Sequence, residues 1–219
     1  VRGLASSDAT DFWRHRCQPE TRDVDRYQAS VAAPHRTVLL EALAACQPWR
    51  RLHELGCHMG PNLARIRERF PDALVSGCDV DANAIAAGQA WFDDDPNVAL
   101  WQADLFDDLN VPYFQKPDVL LTCYTLAYVH PDDLSVVLRR LVQEAQRAIV
   151  LAEPMAAGAS RLTHGAFPEW AHDYAAALAT AVADAGRTAR ACLWHIQPPV
   201  DCLNAVLLAV FSEPPPCLP

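Results

Sequence analysis

The stretch His53-Glu54-Leu55-Gly56-Cys57-His58-Met59-Gly60-Pro61-Asn62 sets an acid directly ahead of a turn of form G-x-x-x-G. Glycines in such a turn let the backbone approach a ligand with no Cβ in the way. Twenty-three residues past Gly56 stands Asp79, close to the ~20-residue spacing that places a carboxylate on a ribose diol. A third acid, Asp104, follows in the run WQADLF. Carboxylates in this series suit a ligand that offers hydroxyl groups, amino groups and positive charge. A pyrophosphate is a poorer match, because the turn lacks the GxGxxG pattern that brings backbone N–H groups onto phosphate oxygens.

The elements around these residues follow from apolar periodicity and turn chemistry. Residues 51–55 are predicted as a strand, and a helix runs from Pro61 toward a stop at Pro71. A second strand is expected over 73–79, then a helix over 81–92 with Asp81 as its N-cap. Strands are expected at 97–104, 118–124 and 147–153, with a helix over 131–145 that has Asp132 near its start. Each acid of the series therefore falls at a strand's carboxyl end, where open parallel sheets bind ligands. Beyond 153, the reading is a loop over 155–168, an Ala-rich helix over 169–186, and two strands at 188–196 and 204–212 joined through a Pro-Pro turn. The expected fold is α/β, a Rossmann-like, doubly wound, mostly parallel seven-stranded sheet with an antiparallel last strand. Residues 1–48 read as an N-terminal helical arm or lid, and 49–213 as the core of a single domain.

Composition narrows the partners. A net charge of -9 argues against a general nucleic-acid binder, which needs clustered Lys and Arg. With 51% apolar and 21% charged residues the chain can bury a substantial core. No window approaches 18 uninterrupted apolar residues, so no membrane span is expected. The eight cysteines contain no CxxC pair, and several sit in apolar runs where a reduced thiol packs as a small hydrophobe. A reduced, cytoplasmic protein without a bound metal is the expectation. Whether it is a monomer or a homodimer stays open.

From about 50 to 153, and most strongly to 104, the chain resembles the class I S-adenosylmethionine-dependent methyltransferases. The motifs that carry the likeness are ELGCHMG, GCDVD and QADLF. Small bacterial members of unassigned substrate are also similar in PNLARIRERFPDALVSGCDVDANAIAAGQAWF and in the His172-Asp173-Tyr174 run. The cofactor fits the carboxylate series, since it carries a sulfonium and an ammonium and no phosphate. The resemblance implies that Glu54, Gly56, Gly60 and Asn62 shape the methionine end of the cofactor site. It further implies that Asp79 with Val80 holds the ribose, that Asp104 accepts from the adenine amino group, and that Leu105 or Phe106 lies on the ring face. Cys123 and Tyr124 would line the methyl-transfer channel. His58 stands where the middle glycine is usual, so its side chain either points to solvent or reaches the cofactor or substrate.

For the acceptor the sequence offers three candidates. His130, in the loop after the fourth strand, has a neutral imidazole near pH 7 and could take a proton from a hydroxyl. His172 and Tyr174, on the expected helix with Trp170, could wall an acceptor pocket or simply dock the helix. Phe12, Trp13 and Tyr27 are read either as parts of a lid or as packing. TCYTLAYV carries no NPPY or DPPY signature, which disfavours methylation of DNA bases or glutamine. The expected activity is methyl transfer to a small-molecule oxygen or nitrogen acceptor. A non-catalytic cofactor-binding module and a protein-modifying methyltransferase are the alternatives, and an enclosed aromatic pocket would favour a small molecule.

Overall fold

A computed structural model describes residues 7–14, 23–105, 116–162, 169–200 and 203–212. Among the described residues, α-helices α1 (Ser7–Arg14), α2 (Asp23–Ala29) and α3 (His35–Ala45) precede the sheet. Strand β1 (Arg51–Leu55) leads into α4 (Pro61–Arg69), which starts with Pro61 at a position where a missing N–H costs nothing. Strand β2 (Leu74–Asp79) is followed by α5 (Ala82–Trp91). As expected, Asp81 caps α5, accepting from the backbone N–H groups of Asn83 at 2.9 Å and Ala84 at 3.2 Å. Then come β3 (Val98–Gln102), β4 (Val119–Cys123), α6 (Pro131–Glu144) and β5 (Ala148–Glu153). The chain continues through β6 (Ser160–Leu162), β7 (Glu169–Ala171), α7 (Tyr174–Asp184), β8 (Ala189–Val200) and β9 (Leu203–Phe211).

Among the described residues the main sheet has the order β3-β2-β1-β4-β5-β9-β8. β1 to β5 are parallel, and β9 runs antiparallel to both β5 and β8. The chain moves outward from β1 to β3, then returns to lay β4 on the other side of β1. That reversal puts the topological switch between β1 and β4, and a crevice opens at their carboxyl ends. Side-chain alternation fills both faces. Val119 and Leu121 of β4 join Leu39, Leu43 and Ile66 on one face, and Leu120 joins Leu138, Leu141 and Leu178 on the other.

Three expectations need correction. The segment 155–168 is not loop throughout, because β6 and β7 pair as a two-stranded antiparallel ribbon. Helix α7 starts at Tyr174, five residues later than expected, because Asp173 is its N-cap and accepts from Ala176 N–H at 3.0 Å. Trp170 therefore lies in β7, and it does not share a helix with Tyr174. Finally, β8 does not end before the Pro-Pro pair but runs through it to Val200 with a register shift after His195. An edge strand tolerates this, since one side of its backbone has no ladder to supply.

Candidate active site

A cavity of about 430 Å³ occupies the crevice at the switch point. Its floor is the Gly56–His58 turn, Asp79 at the end of β2 with Val80 beyond it, Asp104 and Leu105 after β3, and Cys123 at the end of β4 with Tyr124 beyond it. Its roof comes from the N-terminal arm, through Trp13 of α1, Tyr27 of α2, and His35 and Arg36 of α3.

Gly56 sits at φ +70°, and a Cβ there would overlap Thr125 Oγ1, which donates to Leu55 O at 3.1 Å. Gly60, at φ +90°, faces the Phe92 ring, which a Cβ would meet at 2.7 Å. These two positions need glycine because the β1 turn is pressed against the β4 loop on one side and against the end of α5 on the other. Gly60 itself is not among the cavity-lining residues; it shapes the turn from behind.

His58 does not point to solvent; it lines the cavity. It is 9% exposed, takes a left-handed φ of +50°, and stacks on Tyr27 with ring centroids 3.8 Å apart. Its backbone N–H donates to Asp79 Oδ2 at 2.8 Å. Asp79 Oδ1 accepts from Asp81 N–H at 3.0 Å, so the carboxylate is oriented by the turn before any ligand arrives. Burial pushes the Asp79 carboxyl above its ordinary value, and these two N–H donors pull it back.

Glu54 lies below the cavity floor, 1% exposed. Its Oε1 accepts from Asn62 Nδ2 at 2.6 Å, and Asn62 Oδ1 accepts from Arg36 Nε at 2.7 Å. Arg36 also donates to the Ser30 carbonyl. Glu54 Oε2 is buried with no hydrogen-bond partner among the described residues. Burial raises the Glu54 carboxyl to about 8, against the smaller opposing effects of Asn62 and Arg36. Sequence reasoning missed Arg36 and His35, although a His-Arg pair opening an otherwise apolar helix was a signal.

Also missed was an acid, Glu153, at the end of an all-buried β5. Its carboxylate accepts from the N–H groups of Thr125 at 3.0 Å, Leu126 at 3.1 Å and Ala127 at 3.3 Å. It thereby fixes the loop carrying Tyr124, whose left-handed φ of +55° is rare for a non-glycine residue. Tyr124 Oη donates to Glu169 of β7 at 2.9 Å, and the Tyr128 hydroxyl reaches the other carboxylate oxygen at 3.4 Å. Burial raises the Cys123 thiol to about 12, which keeps it protonated and a wall rather than a nucleophile.

The three acceptor-side candidates fall elsewhere. His130 is the N-cap of α6, its Nδ1 accepting from Asp132 N–H at 3.3 Å, and its ring packs edge-on against Trp170. His172 is 1% exposed, with Nε2 3.1 Å from the Val129 carbonyl. Tyr174 is fully buried beneath the sheet. None of the three lines the cavity; His172 braces Val129, which does. Phe106 lies outside the described residues.

Residues 53–147 match the family described as a methyltransferase domain. No curated relative matches the sequence. Among solved structures, the magnesium protoporphyrin IX methyltransferase of Synechocystis PCC 6803 with bound S-adenosylmethionine superposes with a TM-score of 0.59 at 18% identity, over 94% of this chain and 93% of that one. An O-methyltransferase family protein from Burkholderia thailandensis gives 0.63 at 17% identity, over 89% of this chain and 61% of that one. The sugar N-methyltransferase KedS8 from Streptoalloteichus gives 0.58 at 18% identity, over 89% and 94%. Over residues 53–147 the chain is thus similar to a methyltransferase domain, set in a fold shared with a methyltransferase that holds S-adenosylmethionine. Identities at this level bear on the fold, and acceptor choice does not follow from fold.

The site fits that methyl donor on its own chemistry. Glu54 Oε2 is a buried acceptor lacking a partner among the described residues, suited to the charge of an ammonium group. Arg36 offers a cation for a carboxylate on the same wall. Asp79 and Asp104 supply oriented acceptors for hydroxyl and amino donors.

Proposed function

We propose that this cavity binds S-adenosylmethionine and that the protein methylates an oxygen or nitrogen atom of a small molecule. The observation that carries this reading is the convergence of the glycine turn, Asp79 and Asp104 on one floor, under an aromatic roof from the N-terminal arm. Glu54, Asn62 and Arg36 hold the methionine end, Asp79 with Val80 the ribose, and Asp104 with Leu105 the adenine. When bound, the cofactor supplies an electrophilic methyl carbon on a sulfonium sulfur. The arm is proposed as the lid that excludes water and holds the acceptor in line, where rate is won by positioning. Trp13, Tyr27, Tyr124 and Tyr128 give the pocket an aromatic wall that suits a small acceptor better than a protein surface.

The test is calorimetric titration with S-adenosylmethionine and its demethylated product on the native chain and on Asp79→Asn, with melting curves as the folding control. Micromolar binding by the native chain and at least tenfold weaker binding by a folded Asp79→Asn support the site. A folded native chain that binds neither ligand refutes it. Cofactor binding without turnover across an acceptor panel would support the non-catalytic alternative.

A further inference from the structure

At the β4 end of the cavity two phenols converge on one carboxylate. Glu169 is 8% exposed, and its partners are Tyr124 Oη at 2.9 Å and Tyr128 Oη at 3.4 Å. Among the described residues it forms no ion pair, so this buried negative charge is answered only by two neutral donors. A buried carboxylate normally sits with a cation or with several strong donors, since isolated burial of charge is costly. Tyr124 and Tyr128 line the cavity, with Glu169 behind them. Their rings pack edge-on with centroids 6.0 Å apart, and Trp13 of the arm packs on Tyr128 at 5.2 Å. Burial, followed by the Glu169 charge, raises the Tyr128 hydroxyl far above its ordinary value, so it stays a phenol.

Resting on the reading that this cavity is a methyl-transfer site, we propose that Tyr124, Tyr128, Trp13 and Glu169 form the acceptor subsite, and that the acceptor is an amine. Three features of the geometry select it. Having given their hydrogens to Glu169, both phenolic oxygens are acceptors toward anything else they meet, so the ligand group must donate. The electron-rich faces of Trp13 and the two tyrosines attract a cation, by about 0.5–2 kcal/mol each in general. The Glu169 charge adds to that attraction across a single layer of phenol. An acceptor carboxylate would meet the opposite conditions at every one of these groups. The Trp13 indole N–H is buried without a hydrogen-bond partner among the described residues, and as a donor it suits an oxygen elsewhere on the same molecule.

The subsite also disposes of the proton. Bound as an ammonium, the acceptor first gives one proton to Tyr124 Oη while the phenol passes its own to Glu169 Oε2, which frees the nitrogen lone pair. The nitrogen–methyl bond then forms as the methyl–sulfur bond breaks, with that bond's electron pair staying on sulfur. Tyr124 is left neutral and Glu169 protonated, and the proton leaves to solvent when the product departs. Tyr124 is thus the catalytic residue at the nitrogen, and Glu169 acts through it as a positioning residue and proton sink.

The probes are phenethylamine and its carboxylate counterpart phenylpropionate, titrated into the full chain with and without saturating S-adenosylhomocysteine. Binding is read by calorimetry and by quenching of Trp13 fluorescence, with Trp13→Phe as the control. Phenethylamine should bind at least tenfold tighter than phenylpropionate, and Glu169→Gln should cut that preference at least fivefold. Tyr124→Phe keeps the ring, so amine turnover should fall far more than amine affinity, and its pH–rate profile should move. Equal or tighter binding of the carboxylate overturns the proposal, as does failure of both probes to bind, or an amine preference untouched in folded Glu169→Gln and Tyr124→Phe. Failure of S-adenosylhomocysteine to bind would instead refute the cofactor reading, because the amine preference is measured without it as well.

Discussion

Glu54 should hold a proton in the ligand-free protein at neutral pH and release it when a cation binds beside it. Burial lifts its carboxyl from an ordinary 4.5 to about 8. Because the folded value lies above the unfolded one, the native state holds more protons than the unfolded chain between those two pH values. Stability is therefore fully retained below about pH 4.5 and falls as pH rises through 8. The interval corresponds to at most about 5 kcal/mol if Glu54 titrates alone. Glu153, which burial raises to about 7, steepens the lower part of the same slope.

Glu54→Gln isolates the effect. A glutamine matches the protonated acid in shape and keeps an oxygen for Asn62 Nδ2. Denaturant unfolding should show the variant within about 1 kcal/mol of the native chain at pH 5, about 3 kcal/mol more stable than it at pH 7, and up to about 5 kcal/mol more stable at pH 9. In calorimetry at pH 7 with two buffers of different ionisation enthalpy, S-adenosylmethionine binding should release close to one proton from the native chain and nearly none from the variant. A native stability that is flat or rising from pH 5 to 8, with Glu54→Gln tracing the same curve, would refute the reasoning. Equal proton release by both proteins would separately refute the coupling to the ligand.

Gly56→Ala adds left-handed strain of roughly 1–2 kcal/mol to the overlap with Thr125. Thermal melts should show a loss of at least that size, and Thr125→Ala should recover part of it. Asp81→Ala removes the cap of α5 and should cost about 0.5–2 kcal/mol in chemical unfolding. Glu153→Ala strands three backbone N–H groups that now share one carboxylate. Unfolding should show a loss of ~2–4 kcal/mol, together with a collapse of kcat once an acceptor is known. His58→Gly relieves a strained φ while giving up an aromatic stack worth about 0.5–1.5 kcal/mol, so stability should change little. Stopped-flow should nonetheless show a several-fold faster cofactor off-rate, and an unchanged off-rate would argue against the stack holding the arm.

The parallel half of the fold was legible because its signals are local. Buried parallel strands read as unbroken apolar runs, and Asp81 stands just where a helix needs an N-cap. The acids at the ends of β1 and β2 and just past β3 follow from the same pattern, since the end of a strand fixes where its last residues point. Legibility stopped where pairing or packing decided the outcome. Nothing local separates EWAHDYAAALA into a three-residue strand and a helix; the split is made by β6 pairing with β7 and by Asp173 winning the cap. His130 and Asp132 could each have capped α6, and the imidazole takes the place, which withdraws it from the chemistry its position suggested. Arg36 reaches the cavity, and Glu169 backs its wall, from elements remote in sequence from the glycine turn, so their place at the site did not follow from the turn.

The substitution at position 58 gains its meaning from the same remoteness. A glycine there would leave the turn able to cradle a ligand but would remove the ring on which Tyr27 of the arm stacks. With His58, the arm touches the core at each region proposed for the cofactor: Tyr27 stacks on His58 above Asp79, Arg14 lies 3.8 Å from the Asp104 carboxylate, and Arg36 reaches Glu54 through Asn62. The ligand and the arm thus contact the same side chains, so a ligand that meets those side chains also changes how firmly the arm is held. Linkage makes the coupling reciprocal. Whatever loosens Tyr27 from His58 must weaken the cofactor by the factor with which the cofactor steadies the arm. Trp13, which belongs to that arm and faces the proposed amine, carries the coupling from donor to acceptor.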